Sequence, residues 1–480
     1  MYKLLAQIFL FFSLLISQPI VAQTTAWSLE RCIQHARTHN LQVSEAALNT
    51  RMNELTQKQT KLSQIPSLNA DASLGESYGR SIDPTSNQFV TQGFAYNSLG
   101  VSSQALLFGW FQKKYQRQQS QFNTLAAQEQ YAQLQDDISL NIATGYLRVL
   151  MAREQVNIAR GQLDLDLQQY QQTRSFVKAG KLPELNAVQL EAKVSGDSAT
   201  LIGAETEARI ALLQLQVLLN LPNENNFDID MPSETQWANQ LQWDQLEPEA
   251  IYNSALVRQH RMKAQEHQIE SAEKTVLIAK AARYPSLSAF ANLGTNYSSN
   301  VKDITGQTYL GEESLGTLNI GGTPYAVTRP TYEYTFKTRS IVTQYGNNLR
   351  TNAGIGLSVP IFNGWATQTN IEKAELGLQS QRIQQESNRQ KLKQDIYTAY
   401  EQARAAKQRW LAMQHAEASA QQALNYALKR YDVGLISTYD YTNTQNAYYT
   451  ARINALSALY DMVFKRKVLD YYMGLPIQLN

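Results

Sequence analysis

Val359-Pro360-Ile361-Phe362-Asn363-Gly364-Trp365 separates two periodicities in the chain. Upstream, Ala353, Ile355, Leu357, Val359 and Ile361 alternate with Asn352, Gly354, Gly356, Ser358 and Pro360. A period of two marks a strand with one apolar and one polar face. Downstream of Gly364 the pattern is helical and meets no proline before Gly434. A strand therefore passes into a very long helix through a Pro/Gly turn. Leu106-Leu107-Phe108-Gly109-Trp110 is a weaker copy of this junction. Pro360, Gly364 and Gly109 are the candidate junction residues.

The copy belongs to a larger repetition. Pro66-Ser67-Leu68-Asn69-Ala70-Asp71-Ala72-Ser73-Leu74-Gly75 matches Pro285-Ser286-Leu287-Ser288-Ala289-Phe290-Ala291-Asn292-Leu293-Gly294, an offset of 219 positions. Further on the offset becomes 254, pairing Phe108 with Phe362, Ile142 with Ile396, Tyr146 with Tyr400, Gly180 with Gly434 and Leu221-Pro222 with Leu475-Pro476. The step between the two offsets is an insertion in the second copy between Leu293 and Gly354. A register held over so long a span is a tandem duplication.

The predicted organisation follows: a leader at 1–22, a first repeat at 23–222, a connecting segment at 223–243, a second repeat at 244–476 and a tail at 477–480. Each repeat opens with a helical stretch, Ser28–Gln64 or Leu246–Arg283, that ends at a proline. Two alternating segments follow, near Ser67–Gly79 and Phe94–Leu107, then near Ser286–Ser299 and Asn347–Ile361. Each exceeds the ~9–11 residues a tilted strand needs to cross a bilayer; a half-buried hairpin in a soluble domain is the alternative. Residues 300–346, rich in Gly, Thr, Tyr and Ser, read as a long exposed loop.

The helices after the junctions are the longest elements. No proline interrupts the 70 residues from Gly109 to Lys178, a rod of ~105 Å at ~1.5 Å per residue. Ile142, Val149, Val156, Leu163, Tyr170 and Val177 recur every seven residues, a coiled-coil period. The partner positions are small: Gly145, Ala152 and Ala159 in the first copy, and the second-copy seam reads Ala399, Ala406, Met413, Ala420 and Ala427. Gly180 and Gly434 mark the turns at the ends of these rods, where a left-handed residue stops a helix. Return helices follow at Glu184–Leu219 and Thr438–Met473, about half as long, so the short helices ahead of the strands must stack on them.

Composition excludes several classes. Forty-three basic against 41 acidic residues leave a net charge of +2, which is no footprint for nucleic acid. One cysteine, Cys32, permits no intramolecular disulfide and reads as a small core residue. Mean hydropathy of −0.40 is too polar for a bundle of membrane-spanning helices. Lys3, the apolar run Leu4–Ile16 and Ala22 read as a cleaved export signal, the run being too short to span. His35/His39 and His260/His267 have same-face helical spacing but no third ligand in sequence, and no P-loop, Gly-x-Ser-x-Gly or Cys/His arrangement occurs. No catalytic residue, metal site or cofactor is expected.

Four strands cannot close a barrel, since the smallest spanning barrels have about eight. Open edges in lipid would leave backbone groups unpaired at a cost of several kcal/mol each. If the strands span a membrane, several chains must share one barrel, and the rods must extend from it on the aqueous side as a helical cylinder. The expected class is α+β, mostly α: a long coiled-coil helical barrel continuous with a shared β-barrel. A periplasmic or surface coiled-coil structural protein is the rival.

Over essentially the whole chain this plan resembles the TolC-like outer-membrane efflux proteins of Gram-negative bacteria. The resemblance rests on the duplication, on Val-Pro-Ile-Phe-Asn-Gly at 359–364, and on Tyr431-Asp432-Val433-Gly434 followed by Asp440. It implies a homotrimer in outer-membrane lipid, extending into the periplasm. It further implies a periplasmic adaptor (membrane fusion) protein and an inner-membrane RND or ABC transporter as partners, in efflux or type I secretion. The family's entrance lies at the helix tips, and the matching positions here are Tyr431 and Asp440. A second family aspartate is Asn443 here, a family arginine is Ile436, and the equivalent first-copy position is Asn186. One acidic ring is thus kept and part of the charge network is lost. Asp440 also reads as a helix-start carboxylate favoured by the dipole.

Overall fold

The computed structural model describes residues 26–82, 87–91, 93–222, 227–231, 247–475 and 477. The leader at 1–22, most of the connecting segment at 223–243 and the tail residues 478–480 lie outside them. The chain divides into two compact units, one drawn from 1–54, 122–270 and 379–480, the other from 55–121 and 271–378.

Helices dominate, and their lengths repeat. α1 (Leu29–His39) and α5 (Pro248–Arg258) each have 11 residues, and α2 (Leu41–Leu62) and α6 (His260–Ala281) each have 22. α3 (Gln112–Lys178) and α8 (Ala366–Asp432) have 67 each, and the return helices α4 (Glu184–Leu218) and α9 (Thr438–Tyr472) have 35 each. The duplication is therefore preserved residue for residue in the helical elements. No helix among the described residues is long and apolar enough to cross a membrane.

In the first unit the coiled-coil seam supplies the core. Ile142, Val149, Ala152 and Ala159 are buried, as are Ala399, Ala406 and Ala427 in the second copy. Cys32 is fully buried in the same core, and desolvation pushes its thiol up to about 12. The breaks between short helices are held in the same way in both copies. At Asn40 the side-chain amide donates to the Leu218 carbonyl (3.2 Å) at the end of α4. At Gln259, the position 219 further on, it donates to the Tyr471 carbonyl (3.0 Å) at the end of α9. These amides satisfy terminal carbonyls that a helix leaves open, and they stack the short helices on the return helices.

Part of the connecting segment packs here too. Trp27 and Ile229 form a parallel bridge, and Phe227, Ile229 and Ile477 join the core. The Tyr146 hydroxyl donates to the Asp230 carbonyl (2.8 Å) and the Trp27 carbonyl (3.2 Å), fixing both stretches to α3.

The second unit carries an antiparallel four-stranded sheet of β1 (Ser67–Ser77), β4 (Phe94–Phe108), β5 (Ser286–Ser298) and β8 (Arg350–Ser358), in that spatial order. Short strands β2 (Arg80–Ile82) and β3 (Phe89–Thr91) pair separately. The register sorts the two faces. Ala70 pairs with Val101, Val101 with Leu293, and Leu287 with Leu357, giving an apolar face. Ser73 pairs with Ser98 and Asn292 with Asn352 on the opposite, polar face. Leu68, Leu74, Ile355 and Leu357 are exposed on the apolar side. The sheet's edges, β1 and β8, have no outer strand partner among the described residues.

The stretch 300–346 differs from the expected loop. It forms a long hairpin of β6 (Lys302–Ile320) and β7 (Thr323–Thr338), followed by α7 (Ile341–Asn347). Three irregularities in β6, at Ile304/Gly306, Tyr309/Gly311 and Ser314/Gly316, reset the phase of the strand. Glycines at 306, 311, 316 and 321 fall every five residues, so the period of two never runs long enough to be visible. Bulges of this kind admit an extra residue and sharpen the twist.

Candidate functional site

The expected entrance residues come together where the long helices turn. Each rod ends in the same C-terminal motif, with Gly180 at φ +70° and Gly434 at φ +75°. The Lys181 N–H returns to the Phe176 carbonyl (2.9 Å) and the Leu435 N–H to the Arg430 carbonyl (2.8 Å). A left-handed residue closing such a 6→1 bond is what glycine permits.

Past the turn the two copies differ. α4 starts from Pro183 with no side-chain cap, whereas α9 starts from Ser437, whose hydroxyl oxygen accepts the Asp440 N–H (3.1 Å). The same hydroxyl donates to the Asp440 carboxylate at 2.7 Å. Asp440 thus sits in the first turn of α9, exposed, with a cap that orients its charge. Asn443, one turn on, is exposed, and Asn186 is half-buried in the first turn of α4.

Tyr431 is the hub. Its hydroxyl lies 3.2 Å from Thr438 Oγ1 across the second turn and 3.3 Å from Thr173 Oγ1 on α3. Its ring stacks on Tyr441 at 5.0 Å between centroids. Tyr431, Asp440, Gly434 and Asn186 line a cavity of about 920 Å³. Lys181, Arg430 and Asp432 complete its charged lining, beside apolar Leu182, Leu185 and Leu435. Opposite charges are thus balanced within one chain's tip.

Deeper in the same unit lies a group the sequence reading did not single out. Asp166 of α3 is fully buried and accepts from Gln445 Nε2 of α9 at 2.6 Å. Lys193 of α4 stands 3.6 Å from Asp166 and 3.0 Å from Asp197. Burial first, then the neighbouring Asp197, push the Asp166 carboxyl up to about 7. No sequence pattern announces this cluster, because its members come from three helices. Asp440, by contrast, was legible as a helix-start carboxylate, although its Ser437 cap was not singled out.

The junction residues lie in the second unit. Pro360 and Asn363 line a shallow cavity with Arg283 and Trp365, and Ile361 and Phe362 are fully open to the surroundings. Left-handed backbone occurs twice in succession at each junction: at Gly364 (φ +62°) and Trp365 (φ +64°), and at Trp110 (φ +49°) and Phe111 (φ +63°). The register of 254 sets Trp110, not Gly109, opposite Gly364. Gly109 instead supplies the carbonyl that accepts the Gln112 N–H (2.9 Å). Trp110 is held in its unfavourable conformation by packing on Tyr284 at 4.4 Å. Of the histidines, His35 and His39 stack face to face at 4.2 Å, and His260 Nδ1 lies 2.6 Å from Glu129.

Comparison with known proteins bears on the family and the fold. A family model described as outer membrane efflux protein matches residues 32–221 and 251–475, one stretch in each repeat. Outer membrane efflux protein BepC of Brucella suis biovar 1 is 30% identical over 121 residues. That alignment covers 25% of this chain and 26% of BepC, about a quarter of the length of each. Among solved structures, CusC superposes with a TM-score of 0.73 at 18% identity, covering 94% of this chain and 93% of CusC. The outer membrane protein VceC of Vibrio cholerae gives 0.71 at 16% identity, covering 94% and 96%. At such identities the likeness is one of fold, and it extends over both repeats. The chain belongs to the outer membrane efflux protein family.

Proposed function

We propose that this protein is the exit duct of a tripartite efflux or type I secretion system. It would passively conduct substrates from an inner-membrane transporter, of RND or ABC class, across the periplasm and the outer membrane. The observation that carries this reading is the four-stranded sheet, with one apolar and one polar face and two edges that have no partner among the described residues. In lipid such edges must be paired by neighbouring copies, and three copies supply twelve strands, enough to close a barrel. The polar face then lines a water-filled lumen.

The helical hairpins form the periplasmic part, capped by tips that meet a periplasmic adaptor. Tyr431, Asp440, Asn443 and Asn186 act as the entrance, with Gly180 and Gly434 shaping the turns. Pro360, Gly364 and Gly109 join barrel to duct. Residues 1–22 are the export leader, and the two repeats at 23–222 and 244–476 are the structural halves. The chain carries no reaction of its own in this reading; the pump selects the cargo.

The test is reconstitution. The purified chain is expected to run as a detergent-stable trimer and to give discrete conductance steps in planar bilayers. Recovery as a soluble periplasmic protein without channel activity would instead assign it to a coiled-coil structural role.

A further inference from the structure

We propose that Asp166 and Asp197 form a proton-binding site that clasps the two helical hairpins of one chain together just above their tips. Asp166 lies on α3 and Asp197 on α4, the two arms of the first hairpin, whereas Gln445 lies on α9 of the second. The site is shielded from bulk solvent: Asp166 and Gln445 are fully buried and Asp197 nearly so. Two acceptor atoms in it, Asp166 Oδ2 and Gln445 Oε1, have no hydrogen-bond donor among the described residues, the Lys193 ammonium standing 3.6 Å from Asp166 Oδ2. Buried acceptors without donors are unfavourable, and a proton on the carboxyl pair supplies a donor where one is missing.

Charge leads to the same conclusion. From α3 comes Asp166, with Gln162 donating to Asp197 at 2.8 Å. From α4 come Asp197 and the Lys193 ammonium, which bonds both Asp197 oxygens at 3.0 and 3.3 Å. From α9 come the Gln445 amide and the Tyr441 and Tyr449 phenols, both held protonated by burial and by the nearby Asp166 charge. Arg452 on α9 lies beyond Tyr449 and faces Glu417 of α8, and Asp432 and Tyr431 of α8 act on Tyr441. Two carboxylates against one ammonium leave the centre with one uncompensated negative charge. One bound proton, shared between the carboxyls, removes it. The raised Asp166 pKa accords with this.

The sign follows from linkage. Asp166 binds its proton more tightly in the packed state than in the opened one, so the clasp is strongest below the ordinary aspartate pKa. Its contribution is lost as pH rises through the folded value of about 7. Above that pH the pair carries its extra charge, and α9 separates from α3 and α4 more readily. The proton site stands on the packed cluster alone; only an effect on conductance would rest on the duct reading.

Hydrogen exchange of residues 441–449 in the full-length protein, without pump or adaptor, tests it. Exchange in the wild type is compared with Asp166→Asn, which keeps the shape and carries a permanent donor, so intrinsic exchange chemistry cancels. The ratio of wild-type to variant opening is expected to rise by up to about tenfold per pH unit between about pH 6 and 7. Infrared difference spectra across the same range should show a protonated-carboxyl band in the wild type that Asp166→Asn lacks. An identical pH response in both proteins, or no such band, overturns the proposal. If Asp166→Asn does not assemble, Asp197→Asn and the wild-type infrared titration decide by the same criteria. Loss of channel activity with the infrared titration intact would count against the duct and not against this site.

Discussion

Ser437 and Asp440 are bonded in both directions: the serine oxygen accepts the aspartate N–H at 3.1 Å and its hydroxyl donates to the aspartate carboxylate at 2.7 Å. The cap makes Asp440 a helix-start carboxylate; the proposed entrance charge would be a second role of the same side chain. The two roles separate by mutation. Ser437→Ala removes the cap and keeps the charge, and should cost about 1 kcal/mol without altering block by multivalent cations in planar bilayers. Asp440→Asn keeps a capping-competent geometry and removes the charge. If three copies share one axis, as the proposed duct requires, it should weaken cation block, because three carboxylates near that axis attract counter-ions. Equal block in the wild type and Asp440→Asn would leave Asp440 with the cap alone.

On the polar face of the sheet, glycines make room for rings. Gly354 is paired directly with Phe290, and a Cβ at 354 would meet the ring at 2.9 Å. Gly75 stands in the same relation to Tyr96 in the first repeat. Gly354→Ala should therefore overpack the strand pair and cost about 1–3 kcal/mol. Phe290→Leu in the same chain should recover most of the loss, which a double-mutant cycle on thermal unfolding of the assembled protein measures. Independent, additive effects would show that the ring does not depend on the glycine.

Much of the architecture was legible because period and punctuation agree. Gly180 and Gly434 stop the rods where a left-handed residue was expected, and the strand after Pro285 starts at Ser286. The hairpin at 302–338 was hidden because bulges before Gly306, Gly311 and Gly316 shift the alternation each time it begins. At the junctions, glycine marks a left-handed site in the second copy, whereas Trp110 occupies that site in the first, packed on Tyr284. At the tips, Tyr431 and Asp440 could be placed from the turn they flank. Asp166 could not, since only tertiary packing brings it to Lys193 and Gln445.

Tyr146 tests the packing of the connecting segment. Its hydroxyl bonds two carbonyls, of Trp27 and Asp230, on the two stretches that form the bridge at Ile229. Tyr146→Phe removes the phenol donor from the Asp230 carbonyl, while the Trp27 carbonyl keeps the Asp230 N–H at 3.1 Å, and should cost about 1 kcal/mol. Limited proteolysis near residues 227–231 should become faster in the variant. Burial holds the phenol above the ordinary tyrosine pKa, so this contribution is full at neutral pH and is lost only in alkali. Unchanged proteolysis would show that apolar packing of Phe227 and Ile229 alone fixes the segment.

The sheet's two faces make opposite predictions for a single charge. Leu357 lies on the apolar face, paired with Leu287, and is exposed in the isolated chain. Ser358, its neighbour, pairs with Ser286 on the polar face. If the apolar face meets lipid, Leu357→Lys should cost about 2–4 kcal/mol near the midplane and less toward the interface. Ser358→Lys, which on the proposed duct reading would point into the lumen, should cost little and raise cation repulsion in conductance. The measurement is the yield of heat-resistant trimer from outer membranes for each variant. Assembly unaffected by both lysines would mean that neither face is in lipid, and that the four strands belong to a hairpin domain in water.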